Sequence, residues 1–93
     1  MSLHKSKISV VGLGYIGLPT AAVLASVGYD VVGVDVSQRV VDVVNRGEVH
    51  IVEPDLDGLV RGAVFSGRLR AVTQVEPADI FIIAVPTPFK NGN

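Results

Sequence analysis

Val10-Val11-Gly12-Leu13-Gly14-Tyr15-Ile16-Gly17, followed by Asp35 at the close of a second apolar run, decides the fold of this 93-residue chain. The stretch reads as a strand, a tight glycine turn and a helix, and then a second strand that ends in a carboxylate. Asp35 stands eighteen residues after Gly17, close to the ~20 of a dinucleotide-binding βαβ unit. Three glycines at this spacing are a weak signal alone. The flanking strand, the helix and the acid together make it specific.

Each glycine answers a separate demand. Gly12 is expected to let the chain turn off the strand where a Cβ would clash. Gly14 is expected to let the backbone approach a pyrophosphate, and Gly17 to let the helix pack tightly on the strand. A helix that opens here brings unpaired N–H groups and the positive end of its dipole to one place. Tyr15 and Ile16 are read as lying in its first turn, with their backbone N–H groups as the donors. Pro19 falls in that turn as well, where a missing N–H costs little.

Asp35 bears on the choice of cofactor. A carboxylate at the end of the second strand accepts hydrogen bonds from the ribose hydroxyls of an adenosine. A 2′-phosphate would meet it at short range, where two unit charges ~4 Å apart repel by about 4 kcal/mol at an effective dielectric of about 20, before screening. NAD rather than NADP is therefore expected. Helix capping is the competing role for Asp35, although Ser37 is better placed for it. Arg39 is either within reach of a phosphate or the adenine face, or a solvated helix residue.

The composition is globular and apolar, with 48% hydrophobic and 18% charged residues and a mean hydropathy of +0.49. Parallel strands buried on both faces have this signature. A net charge of −1 and the lack of a basic cluster point to neither nucleic acid nor an anionic membrane as partner. The chain has no cysteine, hence no disulfide frame, thiolate metal site or Cys nucleophile. No apolar run reaches the ~18 residues of a membrane span, and the polar start is not a secretory signal, so a cytoplasmic location is expected. His4 and His50 have no second ligand at metal spacing, so no metal site is expected. Glu53 and Asp55 suit capping and loop rigidity better than acid–base chemistry.

Strands are expected over 7–11, 30–34, 68–72 and 79–85. A helix from Tyr15 to about Val27 is stopped by Gly28. A second runs from an N-cap at Ser37 to Arg46, stopped by Gly47, with Val40, Val43 and Val44 on one side. A third, capped by Asp55, runs to about Val64 with Leu56, Leu59, Val60 and Ala63 as its stripe. Right-handed crossovers then give an α/β fold, a Rossmann-type doubly wound parallel sheet truncated to its first four strands in the order 3-2-1-4. Ligands bind where that order reverses, between strands 1 and 4. Pro86-Thr87-Pro88 leaves strand 4 there. Thr87 is thus either a hydrogen-bond partner of the nicotinamide-side ribose or a phosphate, or part of a plain turn.

The wording Gly12-Leu13-Gly14-Tyr15-Ile16-Gly17-Leu18-Pro19-Thr20-Ala21, Gly33-Val34-Asp35, Asn45-Arg46-Gly47-Glu48, His50-Ile51-Val52-Glu53-Pro54-Asp55-Leu56 and Ala84-Val85-Pro86-Thr87-Pro88-Phe89 resembles the N-terminus of nucleotide-sugar 6-dehydrogenases, the UDP-glucose/GDP-mannose 6-dehydrogenase superfamily. The Arg-Gly-Glu and His-Ile-Val-Glu-Pro-Asp-Leu segments tip the resemblance toward the branch that oxidises UDP-N-acetyl-D-mannosamine, with the UDP-glucose branch as alternative. The resemblance implies NAD as cofactor and a UDP-sugar substrate whose C6 hydroxyl becomes a carboxylate in two hydride transfers through a Cys thiohemiacetal. It also implies a homo-oligomeric parent. Gly12, Gly14 and Gly17 match the family's turn, and Tyr15, Ile16, Asp35 and Thr87 match its NAD-contacting positions.

The family's catalytic Cys, its Lys and Asp helpers and its UDP-sugar pocket fall outside these residues, so no catalytic residue is expected here. Residues 1–93 are read as the N-terminal part of an NAD-binding domain, without the central and C-terminal UDP-sugar-binding domains. Strand 4 is then expected to present an exposed edge or to self-associate. A non-catalytic nucleotide-sensing module is the reading from another class.

Overall fold

The computed structural model describes residues 6–85. Thr87 and the two prolines beside it lie outside the described residues. Four parallel strands, β1 (Lys7–Val11), β2 (Asp30–Val34), β3 (Leu69–Val72) and β4 (Ile80–Ile83), form one sheet in the order β3-β2-β1-β4, as expected. Among the described residues three helices, α1 (Gly17–Ser26), α2 (Gln38–Asn45) and α3 (Leu56–Phe65), accompany the sheet.

Register assigns the faces. Ile8, Val31 and Leu69 stand side by side, as do Val10, Gly33 and Ala71; Ser9, Val32, Arg70 and Phe81 alternate onto the opposite face. The first face is the helix-covered one. Its apolar residues join Leu18, Ala21, Ala22 and Ala25 of α1, Val40, Val41 and Val44 of α2, and Leu56, Val60 and Ala63 of α3 in one buried cluster. Phe81 and Ile83 are largely exposed on the other face, and β4 has no outer partner among the described residues, so the expected open edge is present.

The helices depart from expectation in detail. α1 starts at Gly17, not Tyr15, with Ile16 as N-cap at φ −102°. Pro19 is its third residue, still without need of a donor. In α2, Ser37 accepts from the Val40 N–H as a cap should, but Val41 rather than Val43 is fully buried. α2 presents positions i, i+1 and i+4 to the core, and Val43 falls at the margin. Asp55 stands at the N-cap of α3 without capping it: its φ is +64° and its side chain makes no cap bond. Capping requires an extended backbone that aims the oxygen at the open N–H groups, which a left-handed residue does not provide. Leu59, expected in the stripe of α3, is 37% exposed at its edge.

α1 closes with paired bonds, Gly28 N to Ala25 O and Tyr29 N to Leu24 O, across a glycine at φ +107°. α2 and α3 end through the same two-bond device. Asn45, at the end of α2, does something its sequence position does not announce. Its side-chain amide donates to Ala71 O (2.9 Å) and accepts from Ala71 N (2.8 Å), so it serves as a strand neighbour for the outer edge of β3.

Residues 73–79 return from β3 to β4 without a helix. Glu76 ties this return to the sheet through Arg70 (2.6 and 2.9 Å) and Lys7 (3.3 Å). The hydrogen bonds from Arg70 first, and then from Lys7, lower the Glu76 carboxyl from 4.5 to about 2. A carboxyl lowered on folding contributes its full stabilisation above the unfolded value and loses it as pH falls through the folded one. The clasp is therefore expected to weaken between pH 4.5 and about 2. Glu76→Gln should flatten that part of an acid-unfolding curve followed by circular dichroism. An unchanged acid limb would remove Glu76 from the account.

Candidate functional site

The glycine turn leaves the carboxyl end of β1 beside the ends of β2 and β4. Gly12 N donates to Val34 O (2.7 Å). At φ +100°, a Cβ on Gly12 would meet the Ala84 carbonyl carbon and oxygen at 2.9 Å, so the sharp turn excludes any side chain. Gly17 is required for a different reason from the one expected. Its Cβ would fall 1.6 Å from Gly12 O, so what it permits is the return of the loop onto its own start; close helix–strand packing is secondary, with Ala84 Cβ at 3.2 Å. Among the described residues, and its chain neighbours aside, a Cβ on Gly14 would meet nothing within 4 Å. The protein's own packing places no demand on that glycine, and the space above it is open.

Leu13 anchors the turn. Its side chain is fully buried and fills the hollow that Gly33 leaves, where a Cβ would stand 2.7 Å from Leu13 Cδ2. Its N–H donates to Asp35 Oδ2 (3.0 Å). Its carbonyl accepts from His50 Nε2, on the loop between α2 and α3. Asp35 Oδ1 accepts from the Ser37 N–H (3.0 Å), so this carboxylate also joins the turn to the start of α2.

Among the described residues, no hydrogen bond takes up the N–H groups of Gly14, Tyr15 or Ile16. These three consecutive donors precede the helix rather than lying in its first turn, and the α1 dipole adds positive potential behind them. Gly14, Tyr15 and Ile16 line one wall of a cleft of about 480 Å³; Ile82, Ile83, Ala84 and Val85 line the other. A smaller hollow of about 100 Å³ lies among Val11, Gly12, Val34, Asp35, Val36 and Val85. The two hollows share Val85, so the site is elongated, with free amides toward one end and a carboxylate at the other.

Gly12, Gly14, Tyr15, Ile16, Gly17 and Asp35 are thus brought together at the carboxyl ends of the strands. Arg39 is exposed on α2 and makes no ion pair among the described residues. Among the described residues no group of three or more His, Cys, Asp and Glu is placed to hold a metal, and no helix is long and apolar enough to cross a membrane. Leu13 and His50 belong to the site and were not legible as such. The first carries no functional atom outside its backbone, and the second lies 37 positions away.

Residues 6–93 match the family described as UDP-glucose/GDP-mannose dehydrogenase family, NAD binding domain. An NDP-N-acetyl-D-galactosaminuronic acid dehydrogenase of Ralstonia nicotianae is 70% identical over 82 residues, covering 88% of this chain and 19% of that protein. A UDP-N-acetyl-D-mannosamine dehydrogenase of Campylobacter jejuni is 59% identical over 88 residues, 95% of this chain and 22% of its own length. Among solved structures, the UDP-N-acetyl-mannosamine dehydrogenase Cap5O of S. aureus superimposes with a TM-score of 0.88 at 48% identity, over 92% of this chain and 21% of that one. The chain spans about a fifth of the length of the curated relatives it matches.

Proposed function

The chain belongs to the UDP-glucose/GDP-mannose dehydrogenase family, within its NAD-binding domain, and we propose that it is the cofactor-holding part of an enzyme that oxidises C6 of UDP-N-acetyl-D-mannosamine to the uronate. The observation that carries this reading is the run of free N–H groups at Gly14, Tyr15 and Ile16, opened to a ligand by the empty space at Gly14 and flanked by Asp35. Those amides would hold the pyrophosphate, and Asp35 the adenosine ribose hydroxyls, its two oxygens each keeping acceptor capacity beyond their present bonds. Thr87 is proposed as a further contact on the nicotinamide side. Converting a primary alcohol to a carboxylate removes two hydrides, and NAD+ supplies the acceptor for each when bound. The apolar wall from Ile82 to Val85 would keep water from the hydride path.

On this reading the sugar pocket and the nucleophile belong to parts of the enzyme other than residues 1–93. The open edge of β4 is where further sheet or a second subunit would pack, which supports a homo-oligomeric enzyme; a cytoplasmic location is part of the same proposal. The 70% identity to the Ralstonia relative favours a second reading, in which the sugar is the N-acetyl-D-galactosamine nucleotide. The test is near-ultraviolet absorbance of NADH formed by the full product of the reading frame that encodes this chain. NAD+ is supplied with UDP-N-acetyl-D-mannosamine, UDP-N-acetyl-D-galactosamine or UDP-glucose in turn. Turnover of the mannosamine sugar, with two NADH per sugar, is expected. Turnover of another sugar alone moves the assignment to that substrate. NAD+ binding without any turnover identifies a nucleotide-sensing module instead.

A further inference from the structure

We propose that His50 is a positioning residue for the pyrophosphate cradle: through the Leu13 carbonyl it sets the direction in which the Gly14 N–H points. This inference rests on the NAD-binding reading above. A carbonyl oxygen only accepts, so Nε2 of His50 carries the proton in this bond. The carbonyl that it grips and the Gly14 N–H are two ends of one peptide plane. No cis peptide occurs among the described residues, and in a planar trans peptide the C=O and N–H point to opposite sides. A donor fixed on the carbonyl therefore turns the Gly14 N–H away from the α2–α3 loop. Gly14 lines the large cleft, and its N–H has no partner among the described residues.

The grip is firm at both ends. Leu13 is held by its buried side chain and by the bond to Asp35. Ile51, next to His50, is 8% exposed within the core cluster, so the ring is carried by an anchored backbone and not by a free loop. Glycine at position 14 makes this brace necessary, because the residue has the widest backbone freedom of any and no side chain to lock its own peptide. The α2–α3 loop thereby becomes part of the cofactor site without reaching the cofactor.

Three forms of the full product of the reading frame test this by isothermal titration with NAD+ and by thermal melting. His50→Phe keeps a flat ring and removes the donor. It is expected to weaken NAD+ binding on the order of tenfold, the worth of one well-placed hydrogen bond. In His50→Gln the amide nitrogen takes the place of Nε2, and affinity is expected within about threefold of the unaltered protein. Rescue by Gln but not Phe, at matched melting temperatures, separates positioning from packing. Unaltered affinity in His50→Phe overturns the inference, as does a His50→Gln protein that melts normally yet binds as weakly as His50→Phe. Failure of the unaltered protein to bind NAD+ overturns the functional reading itself, and the brace with it.

Discussion

Gly14→Val is expected to abolish measurable NAD+ binding, a loss of at least about a hundredfold, while helix content and melting temperature stay close to those of the unaltered chain. Gly14 is not among the glycines with positive φ, so no left-handed backbone stands against a side chain there. Its Cβ meets no atom within 4 Å among the described residues other than its own chain neighbours. Whatever the new side chain collides with is therefore the ligand, and a buried clash with a pyrophosphate leaves no room for repair. Gly17→Ala is expected to do the reverse in kind. Its Cβ, 1.6 Å from Gly12 O, meets backbone that cannot swing aside as a side-chain tip would. The loop or the first turn of α1 must move, at a cost of about 3 kcal/mol. For a domain of this size that is about 15 °C in melting temperature. Circular dichroism melts and isothermal titration on both variants give the pair of readings. Normal NAD+ binding by Gly14→Val removes the close-approach role of that glycine. A Gly14→Val protein that melts as early as Gly17→Ala shows that the space above Gly14 is not open.

The contrast between these two glycines also marks what a sequence conveys. Strand–turn–helix–strand, the order 3-2-1-4 and the carboxylate at Asp35 were all legible, because each is dictated by local physics: glycine punctuation, apolar runs and the handedness of crossovers. The job of Gly17 was not, since a spacing says where a side chain is forbidden but not which atom forbids it. Asp55 looked like a cap because caps are usually Asp, Ser, Thr or Asn; its left-handed backbone, set by the path from Ile51 to Leu56, decided otherwise. Val41 and Val43 are the same residue type one turn-fraction apart, and only the direction from which β3 approaches α2 tells them apart. Asn45 and His50 are hidden for a common reason. Each works by binding main-chain atoms, of Ala71 and Leu13 respectively, and every residue offers those atoms alike. No motif marks such a partner. The site's polar framework is therefore assembled by tertiary contact, while its glycines are written into the turn.

Asp35→Asn is expected to narrow the preference for NAD+ over NADP+ on the order of tenfold, and in the ratio of affinities rather than in either one. The carboxylate has two tasks in this structure. It accepts from Leu13 N and Ser37 N, one on each oxygen, and it faces the small hollow where a ribose would sit. Asparagine keeps one acceptor and turns an NH2 toward the other N–H. One partly buried donor then goes unpaired, at about 1–3 kcal/mol, and the turn loosens. That loss falls equally on both dinucleotides, which share the pyrophosphate, so it cancels in the ratio. The ratio retains only the interaction at the 2′ position. There the bare repulsion of about 4 kcal/mol between a carboxylate and a phosphate ~4 Å away is cut by solvent at a partly buried site. About 1.4 kcal/mol of it surviving is the tenfold change. Dissociation constants for both dinucleotides, measured on the variant and on the unaltered protein, separate the two tasks. If both affinities fall by one common factor, Asp35 holds the glycine turn and nothing more, and the ribose contact is withdrawn. If the ratio moves while the melting temperature also drops, the same carboxylate builds the cradle and selects what lies in it, and neither task can be removed without disturbing the other.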